Sequence, residues 1–430
     1  RSSVFLPMKN LGIIVVDEEH DLSFKQMEKF RYSARDMALY RAKLEKIPVV
    51  LASATPSLET LKNVKEEKYK VLKLNKRATG ANLPTYHAVD LKGKELHEGL
   101  SKELLEATQT ELDKGNQVLI FLNRRGYAPS MICKACGWIS NCDRCDALMT
   151  VHKNPLKLHC HHCEAQKPYP SKCPSCGSDD FLTYGFGTER VEEFLRGHFP
   201  DTKTLRIDSD STRKKESLNE YFDEIKKGEP IILLGTQLLA KGHHFPNVTL
   251  VGIIDADSGL FSADFRGSER VAQLMTQVAG RAGRDKKPGR VILQSYCLDH
   301  PQIEEIITGS YEKFAKKLLE ERKSYKIPPF SFQAKIFAES PKSLVSRDFI
   351  LKLLNQSKIE KQISSNVRIV GPLPSIMEKK SGVYRWELSI FSSSRSNLHK
   401  FLDVMQSRLY EPKLTKQVRW SIDVDPLSSI

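Results

Sequence analysis

Several kinds of segment are missing from this 430-residue chain. No apolar run approaches the ~18 residues of a membrane span, so no membrane is expected as a partner. No secretory signal pattern opens the chain, and its thiols are therefore expected to stay reduced inside the cell. Heptads and low-complexity tracts are absent, which argues against a coiled coil or a long disordered segment. Acidic charge is in deficit, with 53 Asp and Glu against 67 Lys and Arg, a net charge of +14. That balance favours a polyanionic partner, nucleic acid first, because counterion release from phosphates rewards spread cations. Also absent is any G-x-x-x-x-G-K-[ST] loop, whose Lys and backbone amides hold the β- and γ-phosphates of a nucleotide. What remains is 40% apolar, enough for two to four globular domains.

Cysteine is nearly confined to one place. Eight of the nine cysteines form four CxxC pairs inside 44 residues: Cys133/Cys136, Cys142/Cys145, Cys160/Cys163 and Cys173/Cys176. Two thiolates three positions apart on a tight turn can face one ion, so four knuckles fill two tetrahedral four-cysteine sites. Zinc is the expected metal, two ions per chain, with an iron–sulfur cluster as the rival that thiolates alone do not exclude. Leu148–His152 and Leu156–His159 flank Lys153-Asn154-Pro155 and read as a hairpin. A hairpin capped by two knuckles assigns Cys142, Cys145, Cys160 and Cys163 to one ion. Cys133, Cys136, Cys173 and Cys176 then close around the other. Only five residues separate Cys136 from Cys142, which disfavours sequential pairing. His159, His161 and His162 are read as bystanders, and Cys297, in the run Val291–Cys297, as an inert buried thiol.

Uninterrupted apolar runs at Leu11–Val16, Val49–Leu51, Val118–Leu122, Ile231–Leu234, Thr249–Ile254 and Val291–Leu293 predict parallel strands covered on both faces. Helical stretches Ser33–Lys46, Ser101–Lys114, Thr188–His198, Lys214–Lys227 and Gly267–Ala279 alternate with them, the pattern of open α/β sheets. The expected domains are 1–95, then 96–130 with 181–300, interrupted by a cysteine-rich insertion at 131–180. Asn75–Asn82 is read as a loop near the first junction. From 301 to 430 the expected order is β-α-β-β-α-β: Phe332–Ala338, Leu344–Leu354, Val367–Val370, Tyr384–Phe391, Ser396–Leu409 and Val418–Val424. That order is the ferredoxin-like pattern of an α+β domain.

The chemistry sits at strand ends. Asp17-Glu18-Glu19-His20 follows Leu11–Val16, where open α/β sheets place ligand sites. Asp17 would hold Mg²⁺ and Glu18 would orient and deprotonate the water that attacks a γ-phosphate of ATP. Ser53-Ala54-Thr55-Pro56, after Val49–Leu51, offers hydroxyls that can bond the acidic motif and relay nucleotide state. Gly235-Thr236-Gln237 and Lys241-Gly242-His243-His244-Phe245-Pro246 suit phosphate contact through exposed amides, Thr236 and Lys241. Gln277-Val278-Ala279-Gly280-Arg281-Ala282-Gly283-Arg284 places Gln277, Arg281 and Arg284 at helical spacing, the arginines as fingers for transition-state charge. Two lobes closing on a nucleotide would bring carboxylates and guanidinium groups to the same phosphate.

In this order the motifs resemble motifs II, III, V and VI of superfamily 2 helicases on two RecA-like lobes. Phe5–Asp21, Phe24–Arg35, Asn123-Arg124-Arg125-Gly126, the eight cysteines, Ala240–Val248 and Tyr384-Arg385-Trp386 narrow the resemblance to the replication-restart helicases of the PriA (primosomal protein N′) family. It runs along essentially the whole chain. It implies an ATP-dependent 3′→5′ DNA helicase that recognises stalled or collapsed forks and initiates primosome assembly in the bacterial cytosol, associated with the nucleoid. It also implies two zinc ions in the insertion, and contacts with forked and single-stranded DNA, primosome proteins and single-strand-binding protein. Phe24, Lys25, Phe30 and Tyr32 would couple DNA binding to hydrolysis: aromatic faces stack on bases while cations track the backbone. Arg385 and Trp386 are plausible participants in the C-terminal contacts, although Trp386 fits a core position equally well. In that family the phosphate loop lies upstream of DEEH. A chain that starts at Arg1 is therefore expected to be a fragment with an incomplete first lobe, weak in ATP binding and inactive alone. The alternatives are a non-catalytic zinc-bearing scaffold for DNA and primosome proteins, and an unrelated superfamily 2 translocase with its own zinc ribbon.

Overall fold

The computed structural model describes residues 1–430 except 75–79, 81–82, 123–129, 134, 137, 139, 145–148, 154–155, 161–164, 185–187, 209–214, 237–238, 240–244, 255, 257–263, 284–286, 309, 358–365, 411–417 and 428–430. The described residues form two compact units. One contains Arg1–Tyr69, Ser130–Tyr184 and Leu319–Ile430; the other contains Lys70–Pro129 and Gly185–Leu318.

In the first unit, Ile14–Val16 and Val49–Leu51 pair in parallel. Helix Ala34–Glu45 packs beside them, its first turn capped by Ser33, whose hydroxyl accepts from the Asp36 amide. Its inward stripe is Ala34, Ala38 and Ala42, small residues four apart that let the helix backbone approach closely. Exposed apolar residues remain on both elements: Val15 and Val50 on the strands, and Tyr40 and Leu44 on the helix face opposite its alanine stripe.

The cysteine-rich part is a five-stranded antiparallel sheet, in the order Gln166–Pro168, Leu156–His159, Thr150–Lys153, Ser130–Cys133, Phe181–Tyr184. The expected hairpin is present, with Thr150 opposite His159 and Lys153 opposite Leu156. Met131, Met149, Val151, Leu158, Cys142 and Cys160 share one apolar cluster beneath it, with Trp138 and Met377 against its edge.

The C-terminal segment gives Phe332–Ser340, helix Ser343–Ser357, Arg368–Lys380, Val383–Ser392, helix Arg395–Leu409 and Arg419–Val424. Its four strands are all antiparallel, in the sequence order second, third, first, fourth across the sheet. Ala334, Ile336 and Ala338 face the two helices, which bury Phe349, Ile350, Leu398, Phe401 and Met405 on them. The alternate positions Gln333, Lys335 and Phe337 point to the opposite face and are buried there too. Trp386 lies against the helical core and donates from Nε1 to Ser343 Oγ at 2.9 Å, while Arg385 lies over the Phe337 ring at 5.9 Å.

The second unit is a six-stranded, wholly parallel sheet ordered Lys203–Ile207, Ile231–Gly235, Gln117–Leu122, Val248–Ile254, Arg290–Ser295, Thr85–Asp90. Helix Lys102–Asp113 buries Leu104, Leu105 and Leu112 on it, and helix Thr188–His198 buries Val191 and Leu195. Two corrections follow. Residues 70–95 belong to this unit rather than to the first, because Thr85–Asp90 pairs along its full length with Arg290–Ser295. The unit also runs on to Leu318, so helix Pro301–Thr308 belongs here and not to the C-terminal domain. Neither strand Thr85–Asp90 nor strand Lys203–Ile207 carries an unbroken apolar run, for both are edges. Cys297 lies beyond the end of Arg290–Ser295 and is half-buried rather than buried.

Candidate hydrolytic loop and metal centre

The four residues after strand Ile14–Val16 point in different directions. Asp17 is exposed, and its Oδ1 accepts from the Glu18 amide at 2.9 Å. Glu18 has φ +48°, a left-handed backbone that a non-glycine residue holds at a cost and that concentrates at functional turns. Glu19 turns inward and is buried. Its carboxylate accepts from the Ser57 amide (2.6 Å), Ser57 Oγ (3.1 Å) and Arg35 Nη1 (3.1 Å). Burial opposes the charge on Arg35, but Asp36, Glu59 and Glu19 outweigh it and hold the guanidinium's titration above its ordinary value. His20 bridges the two expected motifs: Nδ1 lies 2.7 Å from Ser53 Oγ and 3.6 Å from Glu18 Oε2, and Nε2 lies 3.5 Å from Thr55 Oγ1. Thr55 is fully buried and its amide donates to Ser53 Oγ at 2.9 Å. Asp17 and Glu18 are thus left at the surface, while Glu19 and His20 fix the turn against Ser53, Thr55 and Ser57. From the sequence, Glu19 and His20 are legible only as members of the Asp17–His20 run and Arg35 only as the end of the Phe24–Arg35 segment, none with a role of its own.

Beyond a short 3₁₀ turn at Leu22–Phe24, capped by Asp21, the chain makes an excursion whose tip carries Phe30, 73% exposed. Phe5 and Phe30 both lie on Tyr32, with ring centroids at 5.0 and 5.8 Å. Lys25 was expected to track a DNA backbone, but its ammonium is buried in an ion pair with Asp423 at 2.8 Å. In this arrangement it cannot reach a phosphate.

In the second unit, Thr236 follows strand Ile231–Gly235 and is half-buried. Gly235 is glycine for a packing reason: a Cβ there would lie 2.3 Å from the Ile207 carbonyl oxygen on the neighbouring strand. Gln277 lies in helix Gly267–Ala279, and Arg281 follows in the next turn, buried. Gly283 has φ +59° and meets the Gly289 backbone where a Cβ would stand, which brings the turn back to strand Arg290–Ser295. Arg284, Lys241, Gln237 and the Asn123–Gly126 segment lie outside the described residues.

The sulfurs of Cys133, Cys136, Cys173 and Cys176 all lie within 4.8 Å of one another. Cys133 and Cys176 are 3.6 Å apart, Cys136 and Cys173 3.7 Å. A tetrahedral zinc with Zn–S bonds of ~2.3 Å requires sulfur separations of about 3.8 Å, whereas a disulfide requires ~2.0 Å. Pairing of Cys133 with Phe181 across the sheet brings the outer knuckles together. The Ser175 amide donates to Cys173 Sγ and the Arg144 amide to Cys142 Sγ, both at 3.4 Å, the turn that prepares a thiolate as ligand. The four outer residues thus fit a four-thiolate zinc site, which would fasten both ends of the module. Without metal, burial pushes the Cys133 thiol up. Hydrogen bonds from Cys136 and Ala135 amides and from the Cys176 thiol outweigh that and bring it down to about 7. On Cys176 a backbone bond at Ser178 lowers the thiol, and the crowding thiols of Cys136, Cys133 and Cys173 with burial outweigh it, up to about 12. Of the inner four, Cys142 and Cys160 are buried in the same apolar cluster, while Cys145 and Cys163 lie outside the described residues. His159 is buried on its strand; His161 and His162 lie outside the described residues.

Three family models match the chain: the primosomal protein N C-terminal domain at 323–427, the PriA DNA helicase Cys-rich region at 142–168, and the helicase conserved C-terminal domain at 178–286. The replication restart protein PriA of Haemophilus influenzae is 46% identical over 99% of this chain and 58% of its own length. That of Rickettsia conorii is 43% identical over 100% of this chain and 65% of its own length. That of Bacillus subtilis is 37% identical over 99% of this chain and 53% of its own length. The chain spans between about half and two thirds of the length of these relatives.

Proposed function

We propose that this chain, which belongs to the PriA family of replication restart proteins, acts as an ATP-dependent 3′→5′ DNA helicase at stalled forks and starts primosome assembly. On this reading the two-stranded layer belongs to a first RecA-like lobe, the parallel sheet is a second, and the C-terminal sheet is a ferredoxin-like domain. Asp17 would hold Mg²⁺ with ATP, which supplies the electrophilic γ-phosphate. Glu18 takes the proton of the attacking water. In the second unit, Arg281 and Arg284 would offer guanidinium charge to a phosphate, and Gln277 and Thr236 would offer polar groups. DNA, primosome proteins and single-strand-binding protein are the proposed partners. Among the described residues no helix is long and apolar enough to cross a membrane.

One observation carries the proposal: Asp17 and Glu18 stand outward on a strained turn that Glu19 and His20 lock to Ser53, Thr55 and Ser57. A DNA-binding scaffold needs no such pair of poised carboxylates. The test is Glu18→Gln in the full-length protein, with DNA-stimulated ATP turnover as the readout. Loss of turnover with zinc content and DNA binding retained is expected; unchanged turnover returns the scaffold reading.

A further inference from the structure

The excursion after the acidic loop leaves and returns through one neck. Lys25 bridges Ser33 in antiparallel sense, and the Gln26 amide donates to the Tyr32 carbonyl at 2.7 Å. The tip is exposed at Phe30, whereas Lys25 at the neck is 4% exposed. Its ammonium lies 2.8 Å from Asp423 Oδ1 and donates to the carbonyls of Val424 at 2.6 Å and Asp425 at 3.2 Å. Two of the lysine's three N–H donors are thus used on backbone carbonyls, and Asp423 Oδ1 is held by charge in an ion pair without hydrogen-bond geometry. Asp423 is itself 1% exposed, on the last strand of the C-terminal sheet. On the returning limb, the Arg31 guanidinium lies over the Phe337 ring of the same sheet at 5.6 Å. The sheet face turned away from the two helices therefore grips both limbs of the loop. A surface lysine that tracked phosphates would instead keep its head in water, as Lys29 does at the tip.

We propose that Lys25 is a positioning residue. With Asp423 it forms a buried latch through which the C-terminal domain holds the Gln26–Tyr32 excursion in register with the hydrolytic turn at Asp17 and Glu18. The coupling role rests on the helicase reading above; the latch itself does not. A buried pair of this kind contributes little net stability but enforces one arrangement, because removing either partner strands the other charge in the interior.

The test is a double-mutant cycle with Lys25→Met, Asp423→Asn and both together. In the 430-residue chain, hydrogen exchange at residues 26–32 is expected to quicken at least about tenfold in each single variant, with the double no worse than either. In the full-length protein the ratio of DNA-stimulated to unstimulated ATP turnover is expected to fall about tenfold in both single variants, with the salt dependence of single-stranded DNA binding unchanged. If Lys25→Met alone shallows the salt slope by about one phosphate contact while Asp423→Asn does nothing, Lys25 is a DNA contact and the latch is wrong. Additive effects in the cycle reject it as well. The isosteric Asp423→Asn keeps the test open should Lys25→Met fail to fold. Absence of any DNA-stimulated turnover in the unaltered full-length protein would fell the helicase reading, and the exchange measurement would still decide the latch.

Discussion

Asp17, Glu18, Glu19 and His20 are adjacent in sequence yet do different work, because the turn that carries them leaves the first two outward and turns the last two onto Ser53, Thr55 and Ser57. Glu18 keeps its carboxylate at the surface, 3.6 Å from His20 Nδ1, so its loss should be felt in chemistry rather than folding. In a protein that also holds a phosphate-binding loop, Glu18→Gln is expected to slow steady-state ATP turnover by about 10²-fold or more, the usual worth of a positioned base. Glu19 should behave in the opposite way. It is buried against Arg35 and Ser57, and Glu19→Ala leaves a guanidinium that is held charged at any accessible pH without its buried partner. A loss of about 3–5 kcal/mol is expected in denaturant unfolding of the unit that contains it.

At the scale of elements, close approach and metal ligation decide. Strand Ile231–Gly235 ends where the carbonyl of Ile207 occupies the space of a side chain, so Gly235→Ala must shift one strand against the other. A cost of about 1–3 kcal/mol is expected, read from the midpoint of thermal or denaturant unfolding. The cysteine module should depend on pH through its thiols. The metal-free Cys133 thiol lies at about 7, below its ordinary 9.0, so its thiolate stabilises the module above the ordinary value, and that contribution fades as pH falls through about 7. Cys176, raised to about 12, favours its protonated form and opposes metal until a proton is expelled. Zinc affinity is therefore expected to fall as pH drops anywhere below about 12, where Cys176 must release its proton, and to fall more steeply below about 7, where Cys133 must do so too, measured by competition with a chromophoric chelator. Cys173→Ser should lower the bound zinc by one ion per chain in metal analysis, because the outer four sulfurs form one site.

For the whole molecule, a net charge of +14 should make single-stranded DNA binding fall steeply with salt, in a log–log titration of affinity against salt concentration. The apolar runs made the middle of the parallel sheet legible: its four interior strands are covered on both faces and had to be continuously apolar. Its two edge strands, Lys203–Ile207 and Thr85–Asp90, have only part of their length to bury, so they mix Lys203, Arg206, His87 and Asp90 with apolar residues and escaped the pattern. The domain boundary was misplaced for the same reason. The β-α-β-β-α-β order of the C-terminal segment was readable because alternating burial and helix periodicity are local properties. The knuckle spacing likewise foretold the outer four-sulfur cluster.

What the sequence determined alone is therefore whatever short-range chemistry dictates: which residues are strands with two dry faces, which turns can present thiolates, and which carboxylates follow a strand. Only the tertiary structure decided the fate of individual charges. Lys25 and Lys29 look alike in sequence, yet one is buried on Asp423 and the other lies in solvent. The difference lies in a partner almost four hundred residues away, since burial of a charge depends on what folds over it rather than on its neighbours along the chain.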